Sequence, residues 1–79
     1  MKNKTKKKII GKIIRNARIR KKLTQLEVSK NTGISRNYIS DIENGRYMPS
    51  VETLFLIAKY LEIDLNLLSK MTEIQENIS

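Results

Sequence analysis

The sequence predicts an all-α fold, a compact bundle of five short helices, and three observations carry that prediction. Apolar residues recur at spacings of three and four within successive segments, the period of one helix face. Thr24, Ser35, Ser50 and Asp64 each stand just ahead of such a segment, where a short oxygen-bearing side chain caps the first turn. Gly33, Gly45 and Pro49 stand between segments, where a helix must turn or stop.

Taken in order, residues 1–8 (MKNKTKKK) are expected as a disordered basic arm, too polar and too like-charged to pack. A first helix is expected over residues 9–22, with Ile10, Ile14 and Ala17 at i, i+4 and i+7 on the core face. Arg18 adjoins that stripe, whereas Lys12, Arg15, Ile19 and Lys22 lie elsewhere on the surface. Thr24 caps a second helix over residues 25–31, and Gly33 lets the chain turn because it enters the left-handed region without steric cost. Ser35 caps a third helix over residues 36–44, which Gly45 ends. Val28, Ile34, Ile39 and Ile42 are the apolar positions of this pair, leaving Gln25, Arg36, Asn37, Ser40 and Asp41 to face outward. A loop over residues 46–48 leads to Pro49, and Ser50 caps a fourth helix whose core stripe is Leu54, Ile57, Ala58 and Leu61. Asp64 caps a short fifth helix through about Lys70, with Leu65 and Leu68 turned inward. The domain thus spans residues 9–70, and residues 71–79 form a C-terminal tail with helical potential.

Two apolar features are left over. Leu56 and Tyr60 sit at i, i+4 beyond the core positions, and Leu67, Met71, Ile74 and Ile78 continue as a heptad-like stripe. They serve either as satellite packing on the same domain or as a homodimer interface, for which Leu56, Tyr60, Leu67 and Met71 are the candidates.

Composition narrows the function. Phe55, Tyr38, Tyr47 and Tyr60 are the only aromatic residues, so the core must be aliphatic. At 79 residues there is room for one domain with a small core and none for a separate effector domain. The chain has no Cys, which excludes disulfides and thiolate metal sites and fits a cytoplasmic protein. No apolar run approaches the ~18 residues of a membrane span, and Gly11 and Lys12 interrupt the apolar stretch near the basic N-terminus, so neither a membrane partner nor a signal peptide is expected. There is no His, the commonest general base and metal ligand, and no Ser has a candidate base beside it. The three glycines are too scattered to cradle a phosphate, and Asp41 and Glu43, at i and i+2, point to different sides of a helix. The expectation is a binding protein and not an enzyme, with no metal, no cofactor and no small-molecule ligand.

Charge says what it binds. Residues 1–22 carry +11 with no acid, residues 23–48 are neutral and residues 49–79 carry −3, for a net +8. Such a gradient points to a polyanion on one side of the molecule. Here the basic segment abuts a helix, glycine turn, helix arrangement, the form of a helix-turn-helix.

Residues 24–45, TQLEVSKNTGISRNYISDIENG, with Pro49-Ser50 and Leu54 after them, resemble the lambda-repressor-like (XRE, Cro-type) DNA-binding family. The resemblance covers about residues 10–68, roughly three quarters of the chain. Ser29 stands where the family usually has Ala, Thr32 where it has Leu, and Lys22 where Gly is common, departures that bear on local stability. The resemblance implies that Arg18 and Glu43 form a partly buried ion pair tying the first helix to the end of the third. It also implies that Gln25, Asn44 and Arg46 hold DNA phosphates, with Gln25 helped by the positive end of its helix dipole. Lys and Arg of the first helix and arm would add non-specific attraction. A third helix in the major groove would offer Arg36, Asn37, Ser40 and Asp41 to base edges, with Ser35 and Tyr38 beside the sugar-phosphate backbone. By side-chain chemistry Arg36 suits guanine, Asn37 adenine and Asp41 the amino group of cytosine, while phosphate or intraprotein contacts stay open for each.

The function these readings imply is a sequence-specific transcriptional regulator of double-stranded DNA, a repressor, binding a palindromic operator as a homodimer with half-sites about 34 Å apart. The alternative is an antitoxin-type protein-partner module that also binds DNA, docking through Leu26, Leu56 and the stripe over residues 71–78. A third possibility is an architectural binder using the basic arm alone.

Overall fold

The computed structural model describes residues 2–66, with side chains from residue 6 onward. It holds four helices: α1 (Lys2–Arg20), α2 (Gln25–Thr32), α3 (Arg36–Glu43) and α4 (Val51–Leu61). α1 and α2 both pack against α3 and against α4. Ile10, Ile14 and Ala17 of α1 meet Val28, Ile34, Ile39, Ile42, Ile57 and Leu61 in one aliphatic core. Tyr38, Leu54, Tyr60 and Ile63 pack partly buried around it.

The helix starts follow from local chemistry. Thr24 and Glu27 form a reciprocal capping box, each side chain accepting from the other's backbone N–H at 3.0 Å. Ser35 and Ser50 accept from the backbone N–H three residues on, at 3.0 and 3.2 Å.

The helix ends share one device. α1, α3 and α4 each close with a residue in the left-handed region: Lys22 (φ 58°), Gly45 (φ 73°) and Glu62 (φ 56°). At α3, the Gly45 N–H donates to Ile42 O and the Arg46 N–H to Asp41 O, the paired bonds of a Schellman motif. The same pair recurs at α1, from Lys22 to Ile19 and Leu23 to Arg18, and at α4, from Glu62 to Lys59 and Ile63 to Ala58. The Lys21 ammonium donates to the Glu62 carboxylate, joining two of these ends and holding the Glu62 carboxyl below its usual range through that hydrogen bond and its charge.

Three features differ from the sequence expectation. α1 begins at Lys2 instead of Ile9, so residues 2–8, expected as an arm, continue the helix. They contain no Gly or Pro, lysine is a good helix former, and repulsion between neighbouring lysines costs only a few tenths of a kcal/mol per pair. α1 stops at Arg20, because Lys22 is already left-handed. Of the fifth helix, residues 65–66 form a helical start, with Asp64 Oδ1 accepting from the Asn66 N–H at 2.9 Å. The remainder, the tail and the residues Leu67, Leu68, Met71, Ile74 and Ile78 lie outside the described residues. Leu65, expected inward, is 40% exposed, and Ile63 packs against the core instead.

Gly11 sets how closely α1 approaches α3. A Cβ there would collide with the carbonyl oxygen of Ile42 and lie 2.9 Å from that of Glu43. The residue that breaks the apolar run in the sequence is a contact point between two helix backbones.

Candidate nucleic-acid interface

α3 buries Ile39, Ile42 and Glu43 and turns its other side out. On that side Arg36 and Asn37 are exposed on the first turn, and Ser40 and Asp41 are half-buried on the next. The turn that aims α3 is held by side chains as well as by Gly33 (φ 78°). The Ser29 hydroxyl donates across the turn to Ile34 O, and the Thr32 hydroxyl donates back to Val28 O at 2.7 Å while accepting from the Ile34 N–H. Two of the three positions that depart from the resembled family, Ser29 and Thr32, therefore hold the turn, a use that no local pattern in the sequence signals.

The base of α3 is anchored by charge. Arg18 Nε and Nη2 donate to the two Glu43 carboxylate oxygens at 2.7 and 2.9 Å, and Nη1 donates to Leu23 O at 2.8 Å. Gln25 Nε2 donates to Glu43 Oε1 at 3.1 Å, so the start of α2 joins the same knot. The hydrogen bond to Glu43 raises the Arg18 pKa; burial works against it and the carboxylate charge adds to it. No buried side-chain nitrogen or oxygen among the described residues lacks a partner.

The remaining site residues fall as follows. The Ser35 hydroxyl is occupied as the cap of α3, and Tyr38 is half-buried, edge-on to Tyr47 with ring centroids 6.4 Å apart. Asn44 is exposed and donates to Ser40 O at 2.8 Å. Asp41 and Arg46, read from the sequence as a base contact and a backbone contact, are brought together as an ion pair at 2.9 Å. Gln25, Glu43 and Asn44 line one small polar cleft with Arg15 and Arg18. On α4, Leu56 is half-exposed while Tyr60 packs partly against the core; Leu67 and Met71 are not among the described residues. Among the described residues no cluster of acidic side chains could hold a metal, and no helix is long and apolar enough to cross a membrane.

Known proteins are similar to this sequence. Residues 14–68 match the helix-turn-helix family. The chain is 54% identical over 68 residues to the ImmF control region 10 kDa protein of Bacillus phage phi105, covering 86% of this chain and 74% of the relative. It is 39% identical over 57 residues to the immunity repressor protein of the same phage, covering 72% of this chain and 40% of that protein. It is 37% identical over 60 residues to the transcriptional regulator ClgR of Mycobacterium tuberculosis, covering 76% of this chain and 54% of the relative. The chain thus spans about half or less of the latter two proteins. No solved structure matches it with significance.

Proposed function

Because this chain belongs to the helix-turn-helix family of DNA-binding transcription regulators, we propose that it is a repressor of the phage-immunity kind, reading a palindromic operator as a homodimer. The observation that carries this reading is the outer side of α3. Arg36 and Asn37 stand exposed on its first turn, above a side buried through Ile39, Ile42 and the Glu43 knot. In a major groove that turn meets base edges, where Arg36 pairs with guanine and Asn37 with adenine. Ser40 reads the next step beside the Asp41–Arg46 ion pair, whose exposed guanidinium meets the sugar-phosphate backbone together with Gln25, Ser35, Tyr38 and Asn44. The protein acts in the cytoplasm at the nucleoid.

One recognition helix spans about one half-site, so two copies are needed for gene-level selectivity, with half-site centres about 34 Å apart. The dimer contact lies along Leu56 and Tyr60 of α4 and continues in the sequence through Leu67 and Met71, which lie outside the described residues. Selection from a random duplex library tests the proposal, at ~150 mM salt to suppress the sequence-independent term. A recovered palindrome with half-sites one helical turn apart supports it. Enrichment of no sequence, with binding lost as salt rises, refutes it.

A further inference from the structure

We infer that Lys8, Lys12 and Arg15 form a phosphate track that carries the DNA backbone along α1, past the end of α3 and outside the helix-turn-helix. The inference rests on the DNA-binding reading above and adds a located second contact to it.

Lys8, Lys12 and Arg15 stand at i, i+4 and i+7 on α1, one face of the helix, about 6 Å and about 10 Å along its axis from the first to the second and third. They line a cleft of about 470 Å³ together with Ile9, Glu43 and Asn44. No side-chain hydrogen bond or ion pair among the described residues engages any of the three. Their neighbours differ: Arg18 is held by Glu43, Lys21 by Glu62 and Arg46 by Asp41. The one acid in the cleft is already committed, because the Glu43 carboxylate receives Arg18 and Gln25.

Three like charges on one helix face repel one another, so their attraction is directed outward. The cleft is also continuous with the proposed interface. Arg15, Glu43 and Asn44 line the adjoining cleft as well, where Gln25 stands at the start of α2. A backbone passing Gln25 and Asn44 therefore meets Arg15, Lys12 and Lys8 in succession. The register of the track against α3 is fixed at its far end, where Lys8 is seated so closely on Gly45 that a Cβ there would lie 3.1 Å from Lys8 Cγ.

The test is the salt dependence of the full chain on its selected operator and on a scrambled duplex. Each phosphate contact contributes about 0.9 to the slope of log affinity against log salt. The triple variant K8Q/K12Q/R15Q, which keeps aliphatic stems, is expected to lower the slope by about 2–3 and to leave the operator-to-scrambled ratio unchanged. The single variant K12Q removes an exposed side chain, keeps the assay readable if the triple variant unfolds, and is expected to lower the slope by about 1. K30Q/K59Q, exposed and away from the cleft, is expected to leave the slope unchanged. An unchanged slope in K12Q, or an equal fall in K30Q/K59Q, overturns the track. A parent chain with no operator preference overturns the DNA-reading proposal itself, so the two failures are distinct.

Discussion

Glu43 is the buried charged residue of the described structure, and its surroundings show why a charge is tolerated there. Three N–H groups reach it, two from the Arg18 fork and one from Gln25, so neither oxygen is left bare. Removing it strands the Arg18 guanidinium in a largely buried position. Glu43→Ala is therefore expected to lower stability by about 3–5 kcal/mol, read as a fall in the urea midpoint; an unchanged midpoint would show the pair to be incidental. Because the Arg18 pKa is raised, its contribution is fully present through the neutral range and is lost as pH rises into strong alkali. Gly11 makes the complementary case. Helix propensity favours Gly11→Ala by up to about 1 kcal/mol. The collision with the Ile42 and Glu43 carbonyls opposes it, and helix backbones cannot yield as a side chain can. A net loss of about 1–3 kcal/mol in thermal or urea unfolding is expected. The two sites differ in legibility. The Arg18–Glu43 partnership follows from the resemblance to a known family, whereas Gly11 reads in the sequence only as an interruption, since its partner lies more than thirty residues away.

At the scale of elements, the starts of α2, α3 and α4 and the ends of α2 and α3 are legible, whereas the start of α1 and the ends of α1 and α4 are not. Thr24, Ser35 and Ser50 act within three residues of their own position, so the sequence alone places them. Gly33 and Gly45 likewise announce two of the ends. Lys22 and Glu62 do the same work without announcing it, each holding a left-handed conformation that costs a side chain about 1–2 kcal/mol. Lys22→Gly is expected to raise stability by about 0.5–1 kcal/mol after glycine's greater loss of chain entropy, checked by chemical denaturation. A loss of stability would mean that the side chain contributes more than the strain. The pairing of Asp41 with Arg46 was hidden for a related reason. It depends on the Schellman turn at Gly45, which folds the chain back until the Arg46 N–H meets Asp41 O at 2.8 Å. The start of α1 was hidden because like charge suggests disorder, whereas uninterrupted lysine-rich sequence also suits a helix.

For the whole molecule, the charge gradient and the fold agree. The +11 of residues 1–22 lies in α1 and the turn after it, and α1 packs beside the base of α3. If about six phosphates are neutralised, affinity should fall with log salt at a slope of about −5, and a salt-insensitive complex would contradict a phosphate-based interface. Attraction of that kind carries no sequence information, so the central claim concerns the outer side of α3. The side was legible because Ile39 and Ile42 fix which way the helix faces. The measurement that tests it most directly compares affinity for the selected operator with affinity for a scrambled duplex, for the parent chain and for Arg36→Ala and Asn37→Ala. Each substitution is expected to lower operator affinity by about 1–3 kcal/mol and to leave binding of the scrambled duplex much less affected. Equal losses on both duplexes, or no loss on the operator, would mean that α3 does not read the bases.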